Sequence, residues 1–176
     1  MTDPSTLIAR SRTLLETTRF ITLATVSDAG EAWASTVNFV PLRGPLRLVW
    51  YSMRAARHSR NIDARRRIAG SIFRTDLGNL SPIGLDGAQC SGPCRVIPSE
   101  ELSGIHLQYY ERNFPDPGIR QAWMLPPAEF TDAGPRRFYE LTVERWWLLD
   151  IDRWLIDKHD GRIEVSVADL SIQSIP

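Results

Sequence analysis

Three apolar segments near the N-terminus follow one another with only three and five residues between them. That spacing limits the fold more than any other feature of the chain. RFITLATVS (19–27) is β-branched and apolar and reads as a buried strand. Asp28-Ala29-Gly30 is a hairpin turn signal. EAWASTVNFV (31–40) is a second strand, with Trp33, Ser35, Val37 and Phe39 alternating against Ala34, Thr36 and Asn38. Pro41-Leu42-Arg43-Gly44-Pro45 turns the chain again, and LRLVWYS (46–52) is a third strand. A parallel crossover needs roughly a dozen residues, so these strands run antiparallel.

The remaining elements extend the pattern. Ala55 to Arg66 reads as a short helix, IAGSIFRT (68–75) as a fourth strand and AQCSGPCRVI (88–97) as a fifth. Gly92-Pro93 marks a bulge or an edge in the fifth strand. SEELSGIHLQYYERNFP (99–115) reads as a helix with a capping-box start at Ser99 and Glu100 and Glu101 near its positive end. Residues 116–136 carry four prolines and read as a loop with one helical turn at 119–124. FYELTVERWWLLDID (138–152) reads as a long final strand, with Trp146 and Trp147 on opposite faces and Asp150 and Asp152 on the same one. At the other end, Asp3 suits an N-cap and Pro4 the first helical position, and Leu7, Ile8, Leu14 and Leu15 share a helical face. No repeat or linker divides the chain, so 1–176 is expected to be a single domain. The order implies a mainly β fold with peripheral helices, a closed or partly closed antiparallel barrel.

Packing leaves one stretch unexplained. Between Arg54 and Arg67 stand six arginines and His58 against a single acid, Asp63, in a chain with 21 basic and 21 acidic residues. A net charge of zero, with no aromatics interleaved among these arginines, argues against nucleic acid as a partner. Arg65-Arg66-Arg67 suits the negative C-terminal end of a helix, whereas Arg57 stands near its start, where anions bind.

Other chemistry has little support. Cys90 and Cys94 lie four apart on one strand face, roughly 13 Å, too far for a disulfide. With no histidine pair beside them they make a poor zinc site and read as buried, reduced thiols. His106 and His159 have no clustered partners. No secretory signal pattern is visible and no apolar run approaches ~18 residues, so no membrane partner is expected, and with reduced thiols a cytoplasmic location is the expectation.

The order and spacing of several short motifs resemble the pyridoxamine 5'-phosphate oxidase-like superfamily, the FMN-binding split barrels. The motifs are Leu23-Ala24-Thr25-Val26, Gly30, Ser35, Val37, Phe39, Tyr51-Ser52, Arg57-His58 and Arg60-Asn61-Ile62. The resemblance is clear over residues 15–75 and continues faintly through YYERNFP and FYELTVERWWLLD. It implies an antiparallel split β-barrel, a homodimer with FMN at the interface, and flavin-dependent oxidoreduction of a small molecule, with NAD(P)H or oxygen as redox partner. Carriage of flavin, deazaflavin F420 or haem without catalysis is the alternative on the same barrel.

The resemblance also assigns residues. Tyr51, Ser52, Arg57 and His58 would hold the flavin phosphate, with Arg54 a further candidate by position. Ser35, Thr36 and Val37 would line the ribityl chain and isoalloxazine. Guanidinium groups and free amides at a helix start suit a phosphate dianion on physical grounds as well. His58 replaces the lysine of many relatives, and a nearby phosphate would raise its pKa. The chain ends VSVADLSIQSIP, without the tryptophan- and arginine-bearing segment that grips pyridoxal phosphate in true pyridoxamine phosphate oxidases.

Overall fold

The computed structural model of the chain describes residues 3–171; the last residues of the C-terminal segment, 172–176, lie outside the described part. Helix α1 (Pro4–Thr17) begins where the Asp3 carboxylate accepts the Thr6 amide, and it buries Leu7, Leu14 and Leu15. Strands β1 (Phe20–Val26) and β2 (Ala32–Asn38) form the expected hairpin, with Gly30 at φ +87° in the turn. That value favours glycine. The expected second strand then divides at Phe39. Residues beyond it form β3 (Val40–Leu42), which pairs instead with β4 (Arg47–Met53).

Helix α2 (Arg57–Ala64) leads into two long strands, β5 (Arg67–Gly78) and β6 (Gly84–Val96). Helix α3 (Leu102–Asn113) follows a 3-10 turn at Ser99–Glu101, and no side-chain capping bond forms there, contrary to the capping-box expectation. Helix α4 (Pro117–Trp123) occupies the segment where one helical turn was expected. The expected long final strand is two strands, β7 (Arg136–Thr142) and β8 (Arg145–Leu149). Asp150 then caps helix α5 (Ile151–Asp157), so Asp150 and Asp152 share no strand face. Strand β9 (Arg162–Val165) and helix α6 (Val167–Ser171) are the last elements among the described residues. The α5 helix had no separate signal because LLDID alternates apolar and acidic residues from Leu149 to Asp152, which continues a strand pattern as well as it opens a helix.

All ladders are antiparallel, in the order β2-β1-β5-β6-β7-β4-β3, with β8 on β6 and β9 on β8. This is a split barrel. Its interior holds Leu14, Leu23, Phe39, Trp50, Ile62, Cys90, Cys94, Tyr139 and Trp146. A second apolar cluster lies on the other side of β4 and β7, where Val49 and Phe138 pack under Ile105, Tyr109 and Tyr110 of α3. β4 and β7 are therefore buried on both faces. Trp146 is buried and Trp147 is partly exposed, as alternation requires.

Strand β6 joins the halves of the barrel. It pairs with β5 and β8 as far as Pro93 and with β7 from Cys94 onward. Gly92 marks this corner, not a sheet edge. A Cβ there would lie 1.9 Å from the Thr142 carbonyl oxygen, a backbone atom with little freedom to retreat. Gly92→Ala is expected to lower stability by on the order of 3 kcal/mol, read from urea unfolding.

Candidate functional site

The sheet order leaves a gap. β2 is the last strand at one end, and β3 covers β4 only along Arg47–Val49. Helix α2 packs beside this gap. Ile62 enters the barrel core, and Asn61 donates to the Thr25 hydroxyl at 3.0 Å, tying the helix to β1.

His58 spans the split. Its Nδ1 lies 3.1 Å from Ser35 Oγ on β2, and its Nε2 lies 2.7 Å from Ser52 Oγ on β4. A neutral ring donates through one nitrogen and accepts through the other, and a serine hydroxyl can take either role. Burial pushes the His58 imidazole below its usual value. Ser35 Oγ also accepts from Trp33 Nε1 at 2.8 Å. The Arg57 guanidinium lies 4.5 Å from the centre of the Trp33 ring and pairs with Glu31 at 2.7 Å. Glu31, Trp33 and Ser35 recur at every second residue, so they lie on one side of β2. Helix α2 starts without a side-chain cap at Ala56, leaving first-turn amides without intrahelical acceptors.

The structure therefore gathers Ser35, Ser52, Arg57 and His58. The other residues named from the sequence lie around them. Thr36 points to the opposite face, where its hydroxyl is 3.2 Å from that of Thr22, so only its backbone serves the cleft side of β2. Val37 shares the Ser35 face and packs against the barrel core. Tyr51 alternates away from Ser52 into a ring cluster with Tyr109, Phe130 and Phe138 at 5.3–5.6 Å. Arg54 donates to the Asp132 carbonyl at 3.1 Å and holds the loop before β7. Arg65 is the exposed C-cap of α2, and it also donates to the carbonyls of Ser27 and Asp28 at 2.9 and 3.0 Å. Arg67 starts β5 and pairs with Glu144.

Two residues escaped the sequence reading. Glu31 is fixed beside the cleft because its amide and carbonyl both bond Ser27 across the hairpin turn. The alternation of Trp33 and Ser35 already implied its side. Buried Arg137 stands opposite Ser52 and donates to the carbonyls of Thr131, Asp132 and Gly134. No local motif announces that arrangement.

The fold and the cleft define an antiparallel split barrel with a polar opening between its sheet edges. A family profile described as Pyridoxamine 5'-phosphate oxidase matches residues 7–150, and the chain belongs to that family. A search among curated proteins finds no match. Solved structures share the fold at low identity. A haem-binding protein from Mycobacterium smegmatis aligns with TM-score 0.65 and 18% identity over 97% of this chain, which spans 62% of that one. A protein related to general stress protein 26, from Clostridium acetobutylicum, gives TM-score 0.63 and 11% identity over 96% of this chain and 99% of its own. An F420 reductase gives TM-score 0.54 and 20% identity over 77% and 94%.

The depressed His58 value has a consequence for the apo protein. A group held neutral in the fold binds fewer protons than in the unfolded chain. Stability is full above the ordinary histidine value of about 6.5 and falls as pH drops from there towards the depressed folded value. His58→Gln is expected to remove that part of the acid loss, seen as a flatter difference in midpoint between pH 7 and pH 5 by urea unfolding.

Proposed function

We propose that the split between β2 and β4 holds FMN by its phosphate and that the protein is an FMN-dependent oxidoreductase of an unidentified small molecule. The observation that carries this reading is the convergence of Ser35, Ser52 and His58 across the split, beside Arg57 and the open start of α2. These are donors suited to a dianion. They require no metal and no nucleophile.

His58 gives the grip a proton dependence. As imidazolium it donates through both nitrogens, and both serines accept. Their hydroxyl protons then turn to the ligand. In the neutral state one serine spends its proton on the ring. Phosphate binding favours the charged ring, opposing the burial that lowers its pKa in the apo form. When bound, FMN supplies hydride or electron transfer, with NAD(P)H a candidate donor. Ser35 and Val37 share one side of β2, its unpaired edge offers backbone groups, and Trp33 and Arg57 would stand beside the phosphate.

The same reading takes the protein as a homodimer in the cytoplasm. The outer face of β1 and β5 carries Phe20 at 58% exposure and Phe73 at 66%, among Ala24, Val26 and Ala69. A second copy is the occupant that would cover this apolar face. Phe73→Arg is expected to shift the species from dimer to monomer in analytical ultracentrifugation.

F420 would use the same phosphate grip. Haem ligation within this cleft is less well served, because both His58 nitrogens are engaged by serines. FMN titration of apo protein, followed by flavin absorbance, tests the proposal. Saturable 1:1 binding is expected, and Arg57→Ala should weaken it by about 1.5–3 kcal/mol. Affinity should fall as pH rises through the bound-state His58 value, and His58→Gln should flatten that profile. A protein that takes up no FMN refutes the reading.

A further inference from the structure

We infer that Glu31 is a built-in competitor for the cofactor phosphate and sets how much the phosphate contributes to cofactor choice. The inference rests on the FMN reading and concerns the same cleft.

The Arg57 guanidinium is not idle in the structure. Its Nη2 donates to Glu31 Oε2 at 2.7 Å while the group lies over the Trp33 ring. Trp33 is in turn bonded to Ser35, and Ser35 to His58. The carboxylate thus sits at one end of the same chain of contacts that ends at Ser52. It is an oxyanion on the guanidinium that a phosphate would use.

Chance surface pairing does not account for this placement. Both main-chain groups of Glu31 are held by Ser27, and Arg65 holds the Ser27 and Asp28 carbonyls of the same turn. The hairpin that presents Glu31 is therefore braced from helix α2, the element that carries Arg57 and His58. Yet the Glu31 side chain is 67% exposed, so its partner can be exchanged without opening the core. An incoming phosphate must displace or share Arg57. Its full attraction is reduced by the pair that is broken and by repulsion from the nearby carboxylate. A ligand without the phosphate meets no such cost. Glu31 therefore lowers the preference for phosphorylated over unphosphorylated flavin.

FMN and riboflavin titrations of the full-length apo protein test this in the wild type, Glu31→Gln, Arg57→Gln and the double variant. Glu31→Gln should tighten FMN binding roughly two- to fivefold and leave riboflavin binding unchanged. In the Arg57→Gln background the gain on FMN should shrink, because the part due to the Arg57 pair is gone and only direct repulsion remains; an undiminished gain overturns the inference. FMN binding by the wild type with unchanged or weaker binding by Glu31→Gln overturns the inference and leaves the FMN reading standing. Equal tightening of riboflavin also overturns it, since the effect would not reside at the phosphate. No FMN binding by the wild type overturns both.

Discussion

The barrel hangs on one backbone contact. At Gly92, strand β6 leaves the ladder it shares with β5 and β8 and enters the one it shares with β7. The Thr142 carbonyl occupies the space a side chain would need. Bringing those backbones together lets one strand serve both halves, so the interior is continuous from Leu23 to Leu141. It also sets where the remaining edges fall. β2 and the distal half of β4 are left on either side of an opening, and the opening is where the polar residues gather.

That opening is bridged by an imidazole. Strand edges usually close by pairing, but here the distal half of β4 meets β2 through Ser35, His58 and Ser52. Helix α2 makes this possible because Asn61 and Ile62 anchor its far side in the barrel. The helix start is then free to face the cleft. A polar seam in place of a backbone ladder gives groups that can trade one partner for another, which a ladder cannot do.

Much of this was legible in the sequence because the early turns leave few choices. The β1–β2 hairpin and the α2 segment lie within a span of local signals, whereas Ser35, Ser52, Arg57 and His58 are grouped only by the family resemblance. The failures have physical causes. Phe39 looks like a continuation of β2, and only the long-range pairing of Val40 with Val49 shows that the strand has changed partners. Tyr51 adjoins Ser52 in sequence, yet alternation sends it into the aromatic cluster under α3. The C-terminal third misled because the alternation from Leu149 to Asp152 fits a strand or a helix start. Arg65 and Arg137 bind carbonyls distant from any motif, and no composition rule reports such contacts.

The two thiols lie apart from the polar seam of the cleft. Both face the barrel core, and burial raises the Cys90 pKa to about 12 and that of Cys94 further. At neutral pH almost no thiolate forms, and oxidation of cysteine proceeds through the thiolate. The two cysteines are thereby withdrawn from thiol chemistry: neither offers a nucleophile to the cleft, and oxidant in solution meets them only if the barrel opens.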